Sequence, residues 1–176
     1  MEKETEKTNV HIRWMIRRDM PDVLDIENGS FENAWTEEDF IRCLRKRNCI
    51  GMIAEISDES EKGWKDVGFM VYELHHDQLH VLNFAVHPDC RRKGVGRVMA
   101  EKLIGKLSQQ RRSRIVIEVR ETNLSAQVVF GKFGFAATSV IRGHYDDSKE
   151  DAYVMQYRFG AESKPMLQPK NRISEF

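Results

Sequence analysis

The chain has 176 residues, 40% apolar and 32% charged, which excludes disordered and fibrous classes and fits one globular domain with its own core. Lys+Arg and Asp+Glu balance at 28 each, so no net field draws the chain to nucleic acid or an anionic membrane. Cys43, Cys49 and Cys90 are odd in number and lack metal-ligand spacing, no stretch reaches the length of an apolar membrane helix, and Met1 to Thr8 is a charged run without a leader, so the expected location is the cytoplasm, with free thiols.

Val10 to Ile16 alternates loosely and reads as a first strand. Asp19 is placed as an N-cap, with Pro21 in the first turn, for a helix carrying Val23, Leu24, Ile26 and Phe31 inward. Thr36-Glu37-Glu38-Asp39 reads as a capping box with Asp in place of Glu, opening a helix with Phe40, Ile41 and Leu44 on one face. Ile50 to Ile56 reads as a strand, Ser57 to Lys65 as a polar turn and Val67 to Leu74 as the returning strand. Gln78 to His87 is an apolar run stopped by Pro88. Met99, Leu103 and Leu107 recur at four-residue steps, the mark of an amphipathic helix beginning near Gly94. Arg114 to Arg120 is a β-branched strand enclosing one carboxylate, Glu118. Asn123 to Phe133 reads as a helix ended by Gly134, and strands follow near Phe135 to Ile141 and Asp151 to Phe159. The expected organisation is a flexible segment 1–9, a domain 10–160, and a flexible tail 161–176 carrying Pro165 and Pro169. The order β-α-α-β-β-β-α-β-α-β-β predicts an α/β fold, with a mixed, mostly antiparallel sheet of about seven strands and helices on both faces.

The sharpest local signal is the junction from Val81 to Gly96, where a hydrophobic strand ends at Pro88 and Arg91-Arg92-Lys93-Gly94-Val95-Gly96 runs straight into a helix. Glycines let the backbone turn with positive φ and let a ligand approach without a Cβ in the way. Successive amides there, with the open donors of a helix N-terminus, form an anion site to which three cations add attraction. A lone Gly-x-Gly is weak evidence, and Arg91 to Lys93 also reads as a solvated run. Met99 stands where a dinucleotide fold wants its third glycine, and no Gly-Lys-Ser/Thr is present, so neither the Rossmann nor the Walker pattern is met.

Arg91, Gly94 and Gly96 in this setting resemble the central motif of the GNAT superfamily, and the resemblance runs from about Val10 to Phe159. Asn83 to Pro88, Glu118 to Asn123, Phe133-Gly134-Phe135, Arg142-Gly143-His144-Tyr145 and Glu150-Asp151-Ala152 are most similar to the bacterial ribosomal-protein-alanine N-acetyltransferases of that superfamily. The resemblance implies acetyl-CoA as cosubstrate, with backbone groups of Phe84, Ala85 and Val86 pairing with the pantetheine arm. It implies amides of Arg91, Arg92, Lys93, Gly94, Val95 and Gly96 on the pyrophosphate, Asn123 near the cofactor, and Glu118 as proton acceptor. Phe31, Trp35 and Tyr145 fall on its acceptor side. The acceptor implied is a protein N-terminal amine, a ribosomal protein among the candidates, with a small-molecule amine as the alternative. The expected state is a monomer or weak homodimer, with no metal and no direct contact to nucleic acid or membrane. One position departs: the family's proton-donating tyrosine falls on Phe130, beside the cofactor, which leaves open a weakly catalytic CoA-binding module.

The chemistry agrees with an α-amine acceptor. Such an amine, with pKa near ~8, is neutral about one time in ten at pH 7, while a lysine near ~10.4 is neutral about once in two thousand. A weak base such as Glu118, working through water, therefore suits an N-terminus better than a lysine. A thiol of pKa near ~8.5 leaves acceptably without an acid, and water or the Tyr145 hydroxyl is the candidate substitute. Glu118 reads alternatively as a structural carboxylate paired with Arg120 or Arg114, and Tyr145, Phe31 and Trp35 read alternatively as packing residues. His75, His76 and His80 show no carboxylate at metal spacing and read as solvated strand-edge histidines.

Overall fold

The computed structural model of the protein describes residues 8–58 and 63–160. The expected flexible ends, 1–9 and 161–176, lie outside these residues except for 8 and 9. The first strand, β1 (Val10–Trp14), leads through a 3-10 turn at Arg17–Asp19 to helices α1 (Met20–Ser30) and α2 (Glu37–Leu44). A meander follows: β2 (Cys49–Asp58), β3 (Gly63–Leu74) and β4 (Gln78–Val86). Then come α3 (Val95–Ile104), β5 (Arg114–Arg120), α4 (Leu124–Lys132), β6 (Ala136–Ile141) and β7 (Ala152–Arg158). The seven strands form one sheet in the order β1-β2-β3-β4-β5-β7-β6, antiparallel everywhere except between β4 and β5.

Most elements form where their residues dictate. Thr36 caps α2 as a capping box, its hydroxyl accepting from the Asp39 amide at 3.3 Å while Asp39 Oδ2 accepts from the Thr36 amide at 2.9 Å. Two expectations change. Asp19 stands at the N-cap position of α1 but makes no capping bond there: its carboxylate bonds the Ile16 amide at 2.7 Å and the Arg13 guanidinium at 2.8 and 3.0 Å, and a 3-10 turn precedes the helix. Of the polar turn expected over Ser57 to Lys65, residues 57, 58 and 63–65 are strand, with Ser57 opposite Trp64, and the rest lies outside the described residues. Ladder hydrogen bonds do not require apolar side chains, so polarity alone was a poor stop signal.

Two apolar layers sandwich the sheet. On one face Val95, Met99 and Leu103 of α3 and Phe130 of α4 pack on Leu79, Val81, Ile115, Ile117 and Val119. On the other, Val23 and Ile26 of α1 and Phe40 of α2 pack on Ile53, Phe69 and Val71. Cys43, Cys49 and Cys90 are buried free thiols, and burial pushes the Cys49 thiol up to about 12. No described helix is long and apolar enough to cross a membrane.

Candidate active site

The one parallel ladder is short. β4 and β5 pair from Gln78 opposite Arg114 to Val81 opposite Ile117. Past that point β4 follows β3 and β5 follows β7, so the two strands part and leave a fork between Leu82–Val86 and Glu118–Arg120. A bulge in β4 sits at the mouth of the fork: Val71 faces Asn83 while Tyr72 faces Val81, leaving Leu82 as the extra residue. The bulge reverses the alternation of β4. Leu79 and Val81 point to the α3 layer before it, and Phe84 and Val86 point there after it. Asn83 and Ala85 are thereby turned toward α1, where Asn83 Nδ2 donates to Glu27 at 2.9 Å and Ala85 joins the α1 layer.

Glu118 stands at the base of the fork on the face away from α3. Its Oε2 lies 2.6 Å from His80 Nε2, across the parallel pair. Burial pushes the Glu118 carboxyl up, but the His80 hydrogen bond and charge outweigh it and hold the group below its ordinary range. The same hydrogen bond raises His80 against the effect of burial. The expected arginine partners are engaged elsewhere: Arg114 with Asp77 at 2.6 Å, and Arg120 with Asp147 and Glu150. His80 is therefore not a solvated edge histidine. Its link to Glu118 spans 38 residues and depends on the register of the parallel ladder, which no local spacing encodes.

The basic turn closes the far end of β4. Arg92 and Gly94 both have positive φ, 62° and 82°, and Gly94 is the residue before α3. The first α3 amide bonded back to this turn is that of Val98, to Gly94 O at 3.1 Å, so the amides before it remain available for an anion. A Cβ on Gly94 would meet nothing within 4 Å, while one on Gly96 would lie 3.7–3.9 Å from Phe133, Val86 and Phe84. The turn is thus open at Gly94 and lined by the fork at Gly96. These residues fit a diphosphate. Val95 is buried under the turn and anchors it to the core. Arg91 does a different job from its neighbours: Nε donates to Val86 O at 3.0 Å and Nη2 to Ser30 Oγ at 3.1 Å, latching the turn to β4 and α1. That bond occupies one carbonyl of the Phe84–Val86 edge expected to meet a pantetheine arm.

Phe130 is buried in an aromatic cluster, its ring 5.3 Å from Phe84 and 5.2 Å from Phe135 between centroids. It offers no proton. Asn123 caps α4, its side-chain oxygen accepting from the Ala126 amide at 3.1 Å.

On the other side of the fork, Tyr145 lies in the β6–β7 loop with the Arg120 guanidinium 3.8 Å above its ring. Burial raises its hydroxyl; the Arg120 cation works against that rise, and the charge of Glu118 adds to it. Phe31 and Trp35 are half-buried against the α1 layer, Trp35 edge-on to Phe40 at 5.2 Å. Glu27 is a residue the sequence reading missed. Fully buried, it accepts from the Trp35 amide at 2.7 Å and from Asn83, and burial raises its carboxyl. An acid on the inward face of α1 between Ile26 and Asn28 was the available signal. A polar cavity of about 530 Å³ lined by Arg13, Arg18, Asp19, Asp22, Glu55 and Asp66 includes none of the expected site residues.

The acetyltransferase (GNAT) family matches residues 13–135. The chain is 27% identical over 139 residues to the ribosomal protein bS18-alanine N-acetyltransferase of Escherichia coli K12, covering 78% of this chain and 89% of the relative. The crystal structure of the Escherichia coli ribosomal-protein-S18-alanine N-acetyltransferase is similar in fold, with a TM-score of 0.71 at 24% identity over 93% of this chain and 98% of that one. Arabidopsis thaliana NAA60 in complex with a bisubstrate analogue gives a TM-score of 0.73 at 14% identity over 88% of this chain and all of the other (100%). The family match runs through the bulged strand, the turn and the Glu118 strand alike, and the chain belongs to the acetyltransferase (GNAT) family as an N-acetyltransferase that uses acetyl-CoA.

Proposed function

We propose that the protein transfers the acetyl group of acetyl-CoA to the N-terminal α-amine of a protein, by direct attack while both substrates are bound, and that a ribosomal protein is among its acceptors. The observation that carries this reading is the fork: an open strand edge with a phosphate-accepting turn at one end and the Glu118–His80 pair at its base. The thioester enters along β4, its diphosphate on the amides of Arg92 to Gly96. The acceptor enters from the side of Tyr145, Phe31 and Trp35, and the relative named for bS18 supports a protein N-terminus there.

Glu118, with His80 bonded to it, takes the proton that the attacking amine loses. The amine nitrogen forms a bond to the acetyl carbon, the carbon–sulfur bond breaks, and the CoA sulfur leaves as thiolate. Phe130 gives that sulfur no proton, and a thiol of pKa near ~8.5 leaves adequately without one. Asn123 and Phe130 border the cofactor side of the fork, and the protein works as a monomer or weak homodimer in the cytoplasm.

Purified protein mixed with acetyl-CoA and a peptide beginning with alanine should release CoA and add one acetyl group at the N-terminus. Glu118→Gln should lower kcat by roughly 10²–10⁴-fold, the usual worth of a positioned base. Turnover on polyamines with none on peptides, or full activity in the Gln variant, would overturn the reading.

A further inference from the structure

We propose that Glu73, His75 and His80 bind a divalent transition-metal ion of the zinc class, and that the bound ion shuts off acetyl transfer by engaging His80. The site comes from the β3–β4 hairpin. Glu73 pairs with His80 across the ladder, and His75 lies two residues beyond Glu73 on the same face. His75 Nε2 is 3.1 Å from Glu73 Oε2, and one ligand atom from each of the three residues lies within 4.8 Å of the other two. Among the described residues no other group of His, Cys, Asp and Glu converges in this way. The expectation that these histidines lack a carboxylate overlooked Glu73, which the antiparallel register supplies from the facing strand.

The chemistry selects a particular class of ion. Two imidazoles and one carboxylate suit zinc and its neighbours, whereas magnesium and calcium prefer a shell of oxygens. Bond lengths of about 2.0–2.2 Å put the ligand atoms of a tetrahedral zinc roughly 3.3 Å apart, so rotations that move each by about an ångström close the site. A fourth position stays open to water. The groups are reachable without being fully exposed: side-chain exposure is 13% for Glu73, 25% for His80 and 40% for His75. Lys46 holds Glu73 Oε1 at 3.1 Å, which leaves Oε2 turned to His75.

His80 joins this site to the fork, because its Nε2 also contacts Glu118. A metal on the other ring nitrogen would leave Glu118 accepting from Nε2–H, the carboxylate–histidine–metal arrangement that strengthens such sites. A metal on Nε2 would displace Glu118 outright. In either case His80 has no ring nitrogen left to receive from Glu118 the proton the amine loses. This consequence rests on the acetyl-transfer reading above; the metal site itself does not.

Calorimetric titration of the full chain with zinc chloride should show one ion per chain, and magnesium chloride should give no heat. His75→Ala, a residue outside the acetyl-transfer machinery, should weaken zinc binding at least about tenfold, the least expected even for losing an outer partner of a metal ligand. Zinc should inhibit CoA release by the wild-type protein, and the variant should keep its zinc-free rate while needing at least tenfold more zinc for the same inhibition. Glu73→Gln, with circular dichroism to confirm folding, should repeat the binding loss. Equal zinc affinity in wild type and both variants, or no zinc binding, would overturn the site. Zinc binding through His75 without inhibition of an active enzyme would overturn the inhibitory role. Zinc binding through His75 in a protein that acetylates no peptide even zinc-free would uphold the site and sink the acetyl-transfer reading instead.

Discussion

Gly94 sits at φ 82° with nothing near its missing Cβ, so an alanine there meets no atom yet must hold a left-handed backbone. That costs about 1–2 kcal/mol. Gly94→Ala should lower Tm by roughly 2–8 °C for a chain of this size, read by differential scanning calorimetry, with the KM for acetyl-CoA little changed. Larger side chains at Gly96 act differently, because the space they would fill lies between the turn and Phe84, Val86 and Phe133. His80 carries the opposite signature. Its Nε2 is bonded to Glu118 at the base of the fork, away from the turn, so His80→Asn should leave the KM for acetyl-CoA unchanged. Its kcat should fall by about 10²-fold or more in steady-state assays, and an unaltered kcat would remove His80 from the proton path.

The β6–β7 loop is anchored by several side chains, Arg120 foremost among them. Arg120 reaches from the end of β5 to clasp Asp147 Oδ2 at 2.6 Å and Oδ1 at 3.0 Å, bonds Glu150 at 3.3 Å, and lies over the Tyr145 ring. Glu150 in turn bonds the Thr122 amide at 2.8 Å and also accepts from the Thr122 hydroxyl. The Arg120 hydrogen bond holds the Asp147 carboxyl down to about 2, so the clasp persists through any pH at which the enzyme works. A lysine keeps the charge but loses the planar fork that grips two oxygens and stacks on a ring. Arg120→Lys should therefore raise the KM for an acceptor peptide by roughly tenfold, about 1.4 kcal/mol, while the KM for acetyl-CoA stays put. Equal shifts in both constants would show that the loop does not belong to the acceptor side.

At the scale of the molecule, Arg13 ties together the end of β1, the 3-10 turn and the β2–β3 hairpin through Asp19, Glu55 and Asp66, whose side chains are at most 10% exposed. Removing the cation strands buried carboxylates, and Arg13→Met should cost roughly 3–5 kcal/mol in urea unfolding at pH 7. Burial pushes Asp19 and Glu55 up, but bonds to Arg13, with the Ile16 amide at Asp19 and His11 at Glu55, hold both below their unfolded values. Their contribution is therefore present above the unfolded range near ~4 and is lost as pH falls below it through the lower folded values, so the gap between wild type and variant should hold from pH 7 to about pH 4 and narrow below that. The sequence made the element order legible, because hydrophobic period and caps such as Thr36–Asp39 are local signals. It also exposed the turn at Gly94, whose residues are contiguous. What it hid depends on register. The Glu118–His80 bond and Glu27 under Asn83 arise from pairing between segments far apart in the chain, while Glu73 meets His80 through the register of the β3–β4 hairpin. Asp19 misled for the same reason, since the arginine that claims it belongs to a different element.

The brevity of the β4–β5 ladder has a mechanical consequence. On the α3 side apolar packing bridges it, but on the opposite side the halves of the sheet meet through a short ladder and a few polar contacts, the Glu118–His80 and Arg114–Asp77 pairs among them. A cosubstrate lying along this short seam would act as a stitch. Amides near Val81 and Ile117 should then exchange with deuterated solvent sooner than those of the β2–β3 hairpin, and should slow most when CoA is added.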